Sequence, residues 1–378
     1  MRKIIFKSGS TMMGGIEKVQ IEYINFLLSQ KEYEVKVIIE NDNGENNILE
    51  KYINTEINYL KSYEDKKRVL KLRNERKRNI WTRIRYNIIL RTEKLYVDKK
   101  FLEIYREFQP DIIIDFDSSL TKIINKLGKS KNFVWIHSSV EKWKKKKSKI
   151  KRFVHRLNKY DKVICICQEM KEDLLKLSNK LEKKVDYIYN PVNFEKIKEL
   201  SEENFSVEEE VLANEKFLLT IARFDCVPKD FETLFKAFDL AKEKGYDGKL
   251  YVIGDGEDRD KVESFLNDCK YKKDILLLGR KENPYNWLKK ADKFILSSRY
   301  EGFPTVLIEA LVLNKIIFSS NCKTGPKEIL AGNFNLLYNI GDFKRLAELI
   351  FTEERNDYRI FRFNKNNIFS KLLELLES

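Results

Sequence analysis

Two acidic residues, Glu301 and Glu309, flank a short segment suited to binding an anion, Gly302-Phe303-Pro304-Thr305-Val306. Upstream, Lys293-Phe294-Ile295-Leu296 is an apolar run of the kind that forms a buried parallel strand. The chain then turns through Gly302, and Pro304 predicts a helix that begins there, because its ring pre-sets the first helical residue. The unpaired N–H groups of Thr305, Val306 and Leu307 would point out of the strand's carboxyl end, where a phosphate can bind. Carboxylates on both sides of an anion site fit a ligand that also carries hydroxyl groups. A nucleotide sugar has them at both ends. Taken singly, either glutamate reads as readily in a plainer way, one as an acidic residue favourable to the helix dipole and the other as merely solvated.

Other residues could serve the same chemistry. Arg223 follows the apolar run that starts at Phe217, and Lys229 comes six residues later. Together they suit a departing diphosphate; either alone reads as a surface charge. Gly254, in Val252-Ile253-Gly254-Asp255-Gly256, and the pair Gly14-Gly15 each follow a strand-like run and precede a helix-like one. Such glycines cradle phosphates or simply make tight turns. His137, one of two histidines, ends the run Phe133–Ile136. A lone histidine there is more often a hydrogen-bonded structural residue. Asp115-Phe116-Asp117 has the spacing of metal-dependent sugar transferases, but no further ligands lie nearby in sequence, and no metal site is expected.

These residues need strands to present them. Apolar runs at Lys3–Phe6, Val35–Glu40, Asp111–Phe116, Phe133–Ile136, Val163–Cys167 and Tyr187–Tyr189 alternate with helical or loop stretches. A second series has Phe217–Ala222, Leu250–Ile253, Ile275–Leu278, Phe294–Leu296 and Ile316–Phe318. Two consecutive β/α series predict an α/β protein with two doubly wound, Rossmann-like domains. The 378 residues also suit two domains rather than one core. The boundary is set at Asn190-Pro191-Val192, giving domains 1–191 and 192–363 and a final helix over 364–378. Ligands of such sheets bind outside the strands' carboxyl ends, so the two domains are expected to face each other across a cleft.

Composition narrows the class further. No apolar run is long enough to span a membrane, and the first residues are too briefly apolar for a signal peptide, so a cytosolic protein is expected. The five cysteines show no metal or disulfide spacing and read as reduced, mostly buried thiols. Residues 1–192 hold 43 basic against 26 acidic side chains, net +17, whereas the remainder is net −3. The stretch 61–100 mixes Val69, Leu72, Trp81, Ile84, Ile88 and Leu95 with many Lys and Arg at helical spacing, and Lys144–Lys147 adds a compact basic cluster. This is either a solvated face or a surface that docks on anionic lipid headgroups. No nucleic-acid recognition motif accompanies the charge, which argues against that partner.

The spacing Glu301-x7-Glu309 with Gly-Phe-Pro between resembles the motif of retaining, family-4-type glycosyltransferases of the GT-B fold. The likeness extends to Gly14-Gly15-Ile16-Glu17-Lys18-Val19, Trp135-Ile136-His137-Ser138, Leu278–Tyr285 and Asn321–Ile329. It is strongest over residues 217–330 and weak over 41–110, and Asn333-Phe334-Asn335 stands where members often have a glycine-rich turn. The resemblance implies a metal- and cofactor-free transfer of a hexose or N-acetylhexosamine from a UDP-sugar to a hydroxyl. Arg223 and Lys229 would neutralise the diphosphate, Glu301 would hold the sugar and Glu309 the ribose. Arg280 and Lys281 would seat the base through their backbone, and His137 with Gly14 and Gly15 would lie by the sugar. It also implies an acceptor glycan, lipid-linked in envelope polysaccharide assembly such as capsule or lipopolysaccharide, used by a peripheral protein at the cytoplasmic membrane face. An ADP- or GDP-sugar donor, or a catalytically silent scaffold for a partner transferase, are the alternatives.

Overall fold

The computed structural model of the chain describes residues 1–144, 146–331, 334–353 and 360–377. Lys145 of the basic cluster and Asn333 of the atypical turn therefore lie outside the described residues. The chain folds as two compact units, Met1–Pro191 with Phe369–Ser378, and Val192–Ile368.

The first unit is built on seven parallel strands: β1 (Arg2–Ser8), β2 (Tyr33–Asn41), β3 (Ile57–Lys61), β4 (Ile112–Asp115), β5 (Lys131–Ile136), β6 (Lys162–Cys165) and β7 (Val185–Tyr187). Their order across the sheet is β3-β2-β1-β4-β5-β6-β7. β1 lies against both β2 and β4, with Ile4 opposite Val35 on one side and Ile112 on the other. Ile4, Ile5 and Phe6 are fully buried, as expected for a parallel strand covered on both faces. Helix α1 (Gly15–Ser29) packs Tyr23 against Phe116 and Trp135, with ring centroids 5.5 and 5.8 Å away. The C-terminal helix Lys365–Glu377 joins this core, where Phe369 stacks on Phe26 at 4.1 Å.

The basic stretch forms a helical pair, α2 (Tyr63–Glu75) and α3 (Ile80–Phe108). What reads in sequence as one amphipathic region is interrupted because Asn79 caps α3. Its side chain accepts from Thr82 N, and Thr82 Oγ1 accepts from Asn79 N, which is a reciprocal capping box. Leu72 faces the protein, whereas Trp81, Ile84, Ile88 and Leu95 are exposed.

The second unit has six parallel strands: β8 (Phe217–Ile221), β9 (Lys249–Ile253), β10 (Ile275–Gly279), β11 (Lys293–Leu296), β12 (Ile316–Ser320) and β13 (Leu337–Tyr338). Their order is β10-β9-β8-β11-β12-β13. Phe224, Phe231, Phe235 and Phe238 bury one face of this sheet together with Leu218, Leu250 and Val252. In each sheet the strand order reverses direction once, between β1 and β4 in the first unit and between β8 and β11 in the second. At such a switch point neighbouring loops diverge and leave room outside the carboxyl ends of the strands. All five cysteines are buried, and none of them is in a disulfide.

Candidate functional site

In the second unit the adjacency of β8 and β11 decides which side chains meet. The loop after β8 is zipped onto the loop after β11: Asp230 N donates to Ser297 O at 3.0 Å and Arg299 N to Pro228 O at 2.7 Å. That pairing delivers Lys229 to Glu301. The Lys229 ammonium donates to Glu301 Oε1, an oxygen that also accepts from Ser298 Oγ at 2.6 Å. Both side chains are largely shielded, 17% and 14% exposed. Arg299, which sequence reasoning passed over, holds the zipper by donating to Cys226 O at 2.7 Å and to Asp230 at 2.8 Å. Asp230 in turn caps the helix Phe231–Glu243. Arg223 is exposed, and no ion pair engages its guanidinium among the described residues.

Beyond Glu301, the helix spans Thr305–Val312 and begins one residue later than Pro304 predicts, so Pro304 is its N-cap rather than its first residue. Its backbone stays partly extended there, and its carbonyl accepts from Leu307 N at 3.0 Å. The expected trio of open amides is therefore a pair: Thr305 and Val306 keep theirs without an acceptor among the described residues. Glu309 is half-buried in the same helix. A second loop braces the segment from below: Glu301 N donates to Lys323 O at 2.7 Å, Thr324 N to Glu301 O at 3.1 Å, and Thr324 Oγ1 to Gly302 O. Phe303 is buried against Phe363, with centroids 5.7 Å apart. The two motifs at 297–309 and 321–329 thus form one bonded structure.

Gly254 has a backbone reason to be glycine. Its φ is +151°, and a Cβ would fall 1.8 Å from Ala222 O, the loop that carries Arg223. Gly254 N also donates to Gly279 O at 2.9 Å, so three loops meet there. Arg280 is exposed at the end of β10, whereas the Lys281 ammonium is committed to Glu209 at 2.6 Å.

In the first unit Gly14 is the extended N-cap of α1, Gly15 is its first residue, and a Cβ on Gly15 would meet nothing within 4 Å. His137 follows β5, and its Nε2 lies 2.7 Å from Phe116 O. A carbonyl only accepts, so Nε2 carries the proton and Nδ1 is left as an acceptor. Nδ1 is shielded and has no partner among the described residues. Burial holds the imidazole down to about 4, the Phe116 bond and the Asp117 charge opposing it, so the ring is neutral near pH 7.

The Asp115–Asp117 pair is already engaged within the fold. Asp115 is fully buried and accepts from Tyr160 Oη at 2.6 Å and from Ser119 N and Leu120 N at 3.0 Å each. Burial, aided by Asp117, pushes its carboxyl up to about 7. Asp117 is salt-bridged to Lys7 at 3.0 Å. Sequence reasoning missed Lys7 and its second partner Glu40, 3.1 Å away. The signal was present: charged residues end three apolar runs, Ile4-Ile5-Phe6-Lys7, Ile38-Ile39-Glu40 and Ile113-Ile114-Asp115-Phe116-Asp117. Only the strand order β2-β1-β4 makes them neighbours.

Two doubly wound parallel sheets with these loops have the fold of the GT-B glycosyltransferases. HepE of Anabaena, in complex with UDP-glucose, superposes with a TM-score of 0.76 at 16% identity over the whole of both chains. The family profile of the glycosyl transferases group 1 matches residues 201–366, and that of glycosyltransferase family 4 matches residues 13–196. An uncharacterized glycosyltransferase of Methanocaldococcus jannaschii is 31% identical over 303 residues, 76% of this chain and 72% of that one. A Campylobacter jejuni transferase, which by its name adds α-1,4-linked N-acetyl-D-galactosamine to a diphospho-undecaprenol-linked glycan, is 28% identical over 94% of this chain and 90% of its own. The chain belongs to the group 1, family 4 glycosyl transferases and is a glycosyltransferase.

The glycines give a paired test. Gly254→Ala is expected to cost more than about 1 kcal/mol of stability, since the new Cβ must push against backbone at positive φ. Gly15→Ala, with open space around it, should stay within about 0.5 kcal/mol of the parent. Equal denaturation midpoints for the two variants would contradict the packing described.

Proposed function

We propose that the protein is a retaining, metal-independent transferase that moves a hexose or N-acetylhexosamine from a UDP-sugar to a hydroxyl of a lipid-linked glycan. The observation that carries this reading is the Lys229–Glu301 pair, four residues ahead of the open amides of Thr305 and Val306. Without a donor, Glu301 neutralises Lys229. A bound diphosphate offers the ammonium a stronger anion, and Glu301 is released to accept from sugar hydroxyls.

In the proposed step the bond between the sugar's anomeric carbon and the phosphate oxygen breaks. The acceptor oxygen bonds to that carbon on the same face, and its proton passes to the departing phosphate. Negative charge grows on the diphosphate as it leaves, and Lys229, Arg223 and the two helix amides oppose it. Preorganised donors of this kind each contribute about 2.7–4 kcal/mol. Metal independence is supported by the matching of phosphate charge with side-chain cations and amides. It is also supported by the commitment of Asp115 and Asp117 to Tyr160 and Lys7. The retaining course rests on the Glu301-x7-Glu309 resemblance, and the UDP donor on that resemblance and on the complex of HepE.

The lipid-linked acceptor is supported by the names of relatives such as the Campylobacter jejuni enzyme. It is supported further by the outer face of α3, where Trp81 is 76% exposed and Leu95 69%. Ile84 and Ile88 lie between them on the same stripe, with Arg83, Arg85 and Arg91 exposed around it. An aromatic and aliphatic stripe rimmed by cations suits the interface of an anionic bilayer, where each basic residue contributes about 1 kcal/mol. Among the described residues no helix is long and apolar enough to cross a membrane. We place the protein peripherally, on the cytoplasmic face.

Two experiments test these statements. A thermal-shift panel of UDP-, ADP- and GDP-sugars should show stabilisation by a UDP-sugar, since a ligand of the native state raises its melting point. With that donor, Glu301→Ala should lower transfer at least about 100-fold, and an undiminished rate would remove Glu301 from the site. In low-salt co-sedimentation the full chain should pellet with phosphatidylglycerol vesicles and not with phosphatidylcholine, and Trp81→Glu should weaken the pelleting. Equal recovery with both lipids would rule out the membrane surface.

A further inference from the structure

The two units place an ion pair at the same topological position. Lys229–Glu301 sits where β8 meets β11, and Lys7–Asp117 sits where β1 meets β4. The second pair takes no part in the proposed transfer step itself. Lys7 is fully buried near the end of β1 and donates to both oxygens of Asp117 at 3.0 Å, to Glu40 at 3.1 Å and to Ser119 Oγ. A buried ammonium is costly unless paired, and its position at a switch point calls for a reason.

The turn that Lys7 grips is the one that holds His137. Phe116 lies between the two clamped aspartates: its N–H donates to Lys7 O at 2.9 Å, and its carbonyl accepts from His137 Nε2. On one side Asp115 ties the turn to Tyr160; on the other Asp117 ties it to Lys7. Gly9 makes way for Asp117, since a Cβ there would lie 3.1 Å from Oδ2. We infer that Lys7 is a positioning residue: by pairing with Asp117 it fixes the turn whose Phe116 carbonyl keeps His137 neutral and in its Nε2–H form, with Nδ1 left as an acceptor. The inference rests on the expectation, carried by the family resemblance, that His137 lies by the transferred sugar.

Charge explains why the residue must be a cation and not merely fill space. The charged groups around the turn are Asp115 and Asp117 themselves, Lys7 from β1 and Glu40 from β2. Glu40 has further cations, Lys61 at 3.6 Å and Lys94 at 4.0 Å. Asp117 has no other salt-bridge partner than Lys7 among the described residues. Burial works against the Lys7 ammonium, yet Asp117, Glu40 and Asp115 together hold its affinity for the proton above the ordinary value. Without Lys7, Glu40 keeps its cations, whereas Asp117 becomes an uncompensated anion that favours the imidazolium form of His137. An imidazolium donates at both nitrogens and can no longer accept at Nδ1.

The chain has only two histidines, so ¹⁵N-histidine NMR reads His137 directly once His155→Gln identifies the other signal. The parent protein should show neutral, Nε2-protonated His137 down to about pH 5. Lys7→Met should raise the His137 pKa by about one unit or more. Its kcat should fall on the acid side of the pH profile more than on the basic side. Lys7→Met/Asp117→Asn should bring the pKa back down, and Lys7→Arg should restore it in part. If Lys7→Met does not fold, Asp117→Asn alone serves: the loosened turn should then show Nδ1–H and Nε2–H forms in mixture. An unchanged titration, tautomer and pH profile, with only a lowered melting point, would overturn the inference and leave Lys7 a packing residue. Should His137 respond to Lys7 while His137→Gln transfers sugar at the parent rate, the positioning stands and the sugar-side role of His137 falls.

Discussion

The adjacency of β8 and β11 is the constraint from which the Lys229–Glu301 arrangement follows. Lys229 and Glu301 are far apart in sequence, and each lies on a loop with no regular structure of its own. They meet because the strands before them are neighbours and because the segments that carry them are bonded backbone to backbone. The result is a shielded ion pair on two braced loops. Breaking a shielded pair by removing one partner is expensive, whereas exchanging one anion for another is not. That asymmetry is what the proposed donor binding would use.

The same logic operates in the first unit with a different outcome. There the lysine of the pair is sealed inside, and the turn that it holds presents the Phe116 carbonyl to His137. Both sheets thus use the point where strand order reverses to hold charge that a continuous apolar sheet could not tolerate. In the second unit the pair joins two loops, and in the first it ties a turn to β1.

Much of this was legible in the residues. Parallel strands covered on both faces appear as unbroken apolar runs, so most strands, and hence the two doubly wound units, could be read directly. The strands that escaped are at the sheet edges: β3, with Asn58 and Tyr59 among its five residues, and the two-residue β13. Neither has the apolar continuity that the interior demands. The start of the helix at Thr305 was displaced by one residue because proline suits the N-cap almost as well as the first turn, and sequence alone does not say which carbonyl will take Leu307 N–H. Lys7 was hidden for a different reason. A lysine after Ile-Ile-Phe looks like a strand end meeting solvent, and its partners become visible only once β1 is known to lie between β2 and β4. Short-range pattern reveals elements, while the meeting of side chains depends on strand order.

The central claim is that Lys229 holds the phosphates of the donor and Glu301 holds its sugar. Calorimetric titration of the parent protein, Lys229→Met and Glu301→Gln with UDP and with the stabilising UDP-sugar separates the two roles. The account predicts that Lys229→Met weakens both ligands alike, whereas Glu301→Gln leaves UDP affinity intact and removes the increment contributed by the sugar. Undiminished UDP binding by Lys229→Met, or an undiminished sugar increment in Glu301→Gln, would contradict it.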